Sequence, residues 1–207
     1  MIKYIAGLFL VTALVWSLVS LQAEPSFYYS LISKIGVIND GHNLAQYANV
    51  TYCGKTVSVT ANHVAEEIDK LRPTNKLLAA SREYDLAIYE SLGNASPSPL
   101  AQSLPNPFED IFVPTFVWMN ESVVVFRYSV MGYSPKETLI QGTLFFGQSG
   151  SGVYNKDGEY LGPVLNILGG RGFDGGKQQA GIGGIGRTDK LIELFTEKVC
   201  SPKGESR

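Results

Sequence analysis

Four prolines stand between residues 97 and 107 among polar neighbours, and neither a strand nor a helix can run on through them. On both sides of this break the apolar residues come in short β-branched or aromatic runs closed by Gly, Asn, Asp or Ser, the pattern of strands joined by tight turns. Before it lie Gly36-Val37-Ile38 running into Asn39-Asp40-Gly41, a hairpin from Val50 to Thr60 interrupted at Gly54-Lys55, and the runs Lys76 to Ala80 and Leu86 to Tyr89. After it lie Phe112 to Trp118, Val123 to Met131, Thr138 to Phe145, Gly152 to Tyr154 and Tyr160 to Leu168. Glycine supplies 22 of 207 residues, many of them between Gly142 and Gly186, where turns must be tight. Helical spacing appears twice, from Val64 to Leu71 before Pro73 and from Arg187 to Val199. The expected fold is all-β: a double β-barrel, with one barrel over about 30–100, a second over about 108–186, and a C-terminal helix over about 187–199.

Charged residues are only 17% of the chain and the formal net charge is −2, so no basic field exists to attract nucleic acid. The start is different in character. Lys3 precedes an uncharged apolar run from Tyr4 to Leu21, and Gln22-Ala23 precede Glu24-Pro25. Residues 1–23 therefore read as a signal peptide cut after Ala23 or as a retained membrane anchor, with a buried core helix as the bland alternative. Either export reading puts residues 24–207 outside the cytosol, as a secreted, periplasmic or membrane-anchored domain; a virus could instead hold it on a cytoplasmic membrane face. Cys53 and Cys200 can bridge in an oxidising compartment or remain two half-buried thiols. Two cysteines and two histidines without short ligand spacing make no metal site, and no cofactor motif is present. The sequons at Asn49, Asn94 and Asn120 are chance matches unless a host glycosylates them.

Three local patterns carry chemistry. Thr60-Ala61-Asn62-His63-Val64 places an imidazole after a strand. Tyr84-Asp85-Leu86-Ala87-Ile88 places a carboxylate before another. Gly147-Gln148-Ser149-Gly150-Ser151-Gly152-Val153 places a hydroxyl in a glycine turn. Alone, each has an ordinary explanation: a surface histidine, a turn aspartate, a hairpin loop. Together their order, His then Asp then Ser, is the chymotrypsin order and not that of subtilisins or hydrolase-fold enzymes. Ser151 also stands where a nucleophile elbow needs its second glycine. In this reading His63 is the general base, Asp85 fixes its tautomer, and Ser149 is the nucleophile. Gly147 and Ser149 supply the N–H groups of an oxyanion hole. His42 is the rival base and Ser151 the rival nucleophile, both with weaker local context.

The same segments resemble the protease core of the HtrA/DegP family of trypsin-like serine proteases. Asn62-His63-Val64, Asp85-Leu86-Ala87-Ile88 and Gly147 to Val153 are similar to that family's three catalytic motifs. Asn155 to Gly162 resembles the hairpin that follows its serine, and Gly181 to Gly186 its closing glycine strand, so the likeness runs from about Gly36 to Leu194. It implies a serine endopeptidase acting on polypeptides without a cofactor. It also implies a substrate pocket walled by Thr143-Leu144-Phe145 and Leu165-Asn166-Ile167-Leu168, segments without charge that favour aliphatic residues before the scissile bond. Asp174, in the glycine loop Gly172 to Gly175, is the charge that could alter this preference.

The departures are as informative. No segment after Arg207 matches the family's peptide-binding PDZ domain, and the spacing from Asp85 to Ser149 is short, which implies trimmed loops and leaves the oligomeric state open. Gln148 stands where digestive enzymes carry the aspartate that pairs with a freed amino terminus. Small membrane-anchored proteases that process viral polyproteins resemble the same motifs, and an inactive two-barrel binding module is the non-enzymatic alternative.

Overall fold

The computed structural model describes residues 26–142, 144, 147–168 and 181–200, the side chains of 167 and 168 excepted. A helical segment over 26–32 (α1) leads into six strands: β1 (Ile35–Asn39), β2 (Leu44–Tyr52), β3 (Lys55–Ala61), β4 (Leu77–Ser81), β5 (Leu86–Tyr89) and β6 (Ser98–Pro99). Helix α2 (Asn62–Leu71) joins β3 to β4. The six strands form one sheet in the order β1-β2-β3-β5-β4, with β6 parallel to β2. The second lobe is a closed barrel of β7 (Asp110–Val117), β8 (Ser122–Tyr133), β9 (Glu137–Gln141), β10 (Gly152–Tyr154), β11 (Tyr160–Leu168) and β12 (Ile182–Gly186). Its strands follow the order β10-β11-β12-β9-β8-β7. Helix α3 (Thr188–Phe195) and a wider π turn (Thr196–Cys200) close the described chain.

Local chemistry explains most of these boundaries. Cys53 and Gly54 both have positive φ, 43° and 73°, which is the two-residue primed turn that matches strand twist, so β2 and β3 pair in strict register from Tyr52↔Lys55 to Ala48↔Val59. Pro114 lies inside β7 opposite Val125. It has the parity of Phe116, whose N–H donates to Gln46 Oε1 and not to β8, so the N–H that Pro114 lacks also lies on the side away from β8.

Three details differ from the expectation. The proline-rich stretch contributes β6, because a two-residue parallel contact needs little ladder and proline tolerates an edge. The last helix is α-helical only to Phe195, beyond which the wider turn buries Val199 and carries Cys200 to Cys53. Helix α1 went unread, since its mixed aromatic residues show no clean period; Phe27 and Tyr28 pack edge-on against Phe112.

Two hydrophobic cores result. One fills the barrel with residues such as Ile111, Val130, Ile140, Val153 and Ile185. The other joins the sheet to α2, α3 and the outer side of the barrel through Val59, Ile68, Leu86, Tyr154, Leu165 and Phe195. Within the first lobe a polar network is satisfied internally. Asn49 donates to Gly93 O and Ala95 O and accepts from Ser58, whose hydroxyl also takes the N–H of Leu92. That commitment places Asn49, first residue of one sequon, in the interior. Cys53 and Cys200 form a disulfide, their Cα atoms 6.0 Å apart, which ties the end of the chain to the β2–β3 turn. Among the described residues no helix is long and apolar enough to cross a membrane; residues 1–23 lie outside them.

Candidate active site

β3 delivers the chain to α2 with Ala61 as the residue before the helix, and Ala61 has no side chain that could cap it. Asp85 supplies the missing acceptors from across the sheet. Its carbonyl accepts the N–H of Asn62 at 3.0 Å, and its carboxylate oxygen Oδ1 accepts the N–H of His63 at 2.8 Å. The other oxygen, Oδ2, lies 2.7 Å from His63 Nδ1. To do this Asp85 sits at φ 52°, a left-handed conformation that aspartate tolerates better than most residues, at the end of the turn before β5. His63 thus stands in the first turn of α2, where the sequence had placed it at a strand end.

With Nδ1 held by Asp85, the opposite ring nitrogen Nε2 makes no hydrogen bond among the described residues. The His63 side chain is 48% exposed and that of Asp85 29%, so the pair is open to a ligand yet anchored. The hydrogen bond that His63 donates to Asp85 raises the His63 pKa above the ordinary imidazole value, against a smaller opposing effect of desolvation. His42, the other histidine, is exposed in the loop after β1, where its N–H donates to Asp40 Oδ1.

The glycine turn comes from the second lobe. Gly147 and Gly150 have φ of 91° and 83°, so both need the freedom of glycine. Gly150 is also sterically fixed: a Cβ there would lie 2.3 Å from Gln46 O and 2.4 Å from Thr60 Oγ1. The turn is therefore pressed against β2 and against the residue three places before His63. Ser149 lies at the apex, its hydroxyl donating to Leu165 O at 3.4 Å and not to His63. Among the described residues the N–H groups of Gly147 and Ser149 donate to no acceptor, which leaves both free for an incoming oxygen. Ser151 is fully buried and its hydroxyl is committed to Gln46 Oε1 at 3.0 Å, a poor setting for a nucleophile. Gln148 is buried too, donating to Thr115 Oγ1 at 3.1 Å beside Tyr128.

The residues expected to bind substrate are only partly brought together. Leu165 is buried with its carbonyl beside Ser149, and Leu144 is buried against Gly183. Ile167 continues β11, while Thr143, Phe145 and Asp174 lie outside the described residues. Asn166 carries a feature that spacing could not reveal. Its Nδ2 donates to Glu137 Oε1 at 2.6 Å, across the gap left by Gly184, so a carboxylate reaches the strand next to Ser149. Gln46 was missed as well: its amide touches Gly147, Phe116 and Ser151 at once.

No protein-family model matches the sequence, and no curated protein matches it. The fold has clear relatives among solved structures. Rv3671c of M. tuberculosis, in an inactive form carrying a serine-to-alanine mutation, superposes with a TM-score of 0.60 at 12% identity, over 86% of this chain and 93% of that one. A serine endoprotease from Yersinia pestis gives 0.59 at 15% identity, over 83% of this chain and 66% of its own. The HtrA-type protease AlgW, solved with a decapeptide, gives 0.55 at 18% identity, over 74% of this chain and 50% of its own. The chain has the fold of a trypsin-like, HtrA-like protease core, a closed barrel set beside a second sheet and ended by a helix.

Proposed function

We propose that the chain is a serine endopeptidase with His63, Asp85 and Ser149 as its catalytic triad and Gly147 and Ser149 as its oxyanion hole. The observation that carries this reading is the double hold of Asp85 on the N–H and the Nδ1 of His63, which leaves Nε2 available as a base. A neutral imidazole so oriented can take the proton of Ser149 Oγ as that oxygen attacks a peptide carbonyl. The new oxyanion would accept the N–H groups of Gly147 and Ser149, and backbone donors held in place by the turn would cost little reorganisation during the reaction. His63 would then pass its proton to the leaving amine, and a water would repeat the sequence to release the acyl group. Asp85 accepts from Nδ1–H and stabilises the imidazolium. To act as nucleophile, Ser149 Oγ would turn from its 3.4 Å contact with Leu165 O towards His63 Nε2.

Gln148 is neutral and held inside the barrel, so the nucleophile turn has an anchor that does not depend on a freed amino terminus. We also propose an exported or membrane-tethered setting, supported by the apolar run from Tyr4 to Leu21 and by the Cys53–Cys200 bridge, which needs an oxidising compartment. For specificity we propose small or medium aliphatic residues before the scissile bond, since the segments around Leu144 and Leu165 carry no charge. Profiling cleavage of a peptide library tests both activity and preference. Hydrolysis absent in Ser149→Ala, with Ala, Val, Ile or Leu before the cut, is expected. A dominant choice of Lys or Arg that disappears in Glu137→Gln would instead assign the pocket to the Glu137 carboxylate.

A further inference from the structure

We infer that Gln46 is the positioning residue of the oxyanion hole, reaching from the first lobe to set the direction of the Gly147 amide; the inference rests on the peptidase reading above. Gln46 lies on β2 and is fully buried. Its carboxamide offers two donors and two acceptor sites, and four partners fill them. Nε2 donates to Gly147 O and, at 3.3 Å, to Phe116 O. Oε1 accepts the N–H of Phe116 at 2.9 Å and the hydroxyl of Ser151 at 3.0 Å. One side chain of the sheet thus joins the end of β7 to both flanks of Ser149.

Gly147 needs such a hold. A Cβ at that position would meet nothing within 4 Å among the described residues, so no neighbour crowds its side-chain face, and with φ at 91° it has the rotational freedom that only glycine has. The peptide plane is rigid, so capturing the Gly147 carbonyl fixes the plane between Gly147 and Gln148. That plane includes the Gly147 Cα, so the atom from which the preceding peptide hangs, with the Gly147 N–H, is held in place with it. The backbone of Gln46 completes the seat: its carbonyl accepts Thr60 Oγ1 at 2.8 Å and lies where Gly150 leaves space for it. Loss of the side-chain hold should therefore weaken binding of the transition state while leaving substrate binding and the His63–Asp85 pair intact.

The experiment compares wild type, Ser149→Ala, Gln46→Met and Gln46→Glu for kcat and KM on a peptide that the wild type cleaves, across pH, with thermal melting to report folding. Gln46→Met keeps the length and removes every hydrogen bond. It should lower kcat about 10²-fold or more, as loss of an oxyanion donor does, with KM changed less than about threefold. Gln46→Glu guards against a Met variant that does not fold. Its buried carboxyl, protonated at low pH, can still donate to Gly147 O, so kcat relative to wild type at the same pH should fall as pH rises and the donor is lost. Taking the ratio cancels the titration of His63. A folded Gln46→Met with unchanged kcat, a loss confined to KM, or a Gln46→Glu ratio flat with pH would each overturn the inference alone. A wild-type protein without turnover that depends on Ser149 would overturn both it and the peptidase reading.

Discussion

Asp85 serves His63 twice, once through the backbone and once through the ring, and the two effects can be separated by experiment. In Asp85→Asn the N–H of His63 keeps an acceptor but the ring loses its anionic partner, so the wrong tautomer and an unsupported imidazolium should lower kcat by about 10⁴. The pH profile gives the second test. The hydrogen bond that His63 donates to Asp85 raises the His63 pKa, and the base form is the neutral one, so activity should rise with pH through a midpoint above the ordinary imidazole value of about 6.5. Asp85→Asn should move that midpoint down. The same shift has a stability consequence of defined sign. A pKa raised in the folded state adds stability that is complete below the unfolded value and is lost as pH rises through the folded one. Stopped assays of Ser149→Ala, His63→Ala and the double variant complete the residue-scale picture. Each should lose about 10⁴ to 10⁶ in kcat, and the double variant little more, because the two side chains act as one unit.

The nucleophile turn is the element on which the two lobes meet, and its glycines are not equivalent to glycines elsewhere. Gly150→Ala would drive a methyl into the Gln46 carbonyl and Thr60, besides placing alanine at positive φ. Gly158→Ala has the same backbone penalty, at φ 76°, but its methyl would meet only Lys34 Cε at 3.9 Å. Denaturant titration should show about 1–2 kcal/mol lost for Gly158→Ala and clearly more for Gly150→Ala, with activity lost in the second. The turn was legible in the sequence because glycines flanking a serine advertise positive φ, and β10 and β11 were legible because they are short apolar runs bounded by turn residues. Gln46 was not. In Leu44–Tyr52 a glutamine reads as the solvent face of a strand, and it is buried only because the second lobe covers that face. Glu137 was hidden for a related reason, since no local pattern tells that its carboxylate crosses a glycine strand to reach Asn166. The start of α2 at Asn62 was obscured because its cap comes from Asp85, 22 residues beyond His63, and not from the residue before the helix.

At the scale of the molecule, His63 and Asp85 belong to the first lobe and Ser149 to the turn of the barrel lobe, so the proposed site exists only while the lobes stay docked. The disulfide helps to hold that arrangement by pinning the last helical turn to the β2–β3 hairpin, with Lys55 Nζ donating to Val199 O beside it. It closes a span of 147 residues, for which chain entropy alone gives roughly 5 kcal/mol, so Cys200→Ser should lower the unfolding free energy by about that amount, and reductant should destabilise wild type but not the variant. The central claim is that docking places an activated Ser149 beside His63. It is tested most directly by mass spectrometry after treatment with a fluorophosphonate, which reacts with an activated serine and leaves an ordinary hydroxyl alone. The account predicts one adduct, located on Ser149, formed quickly by wild type, slowly by His63→Ala and not at all by Ser149→Ala. An unlabelled wild-type protein, or an adduct on any other serine, would contradict it.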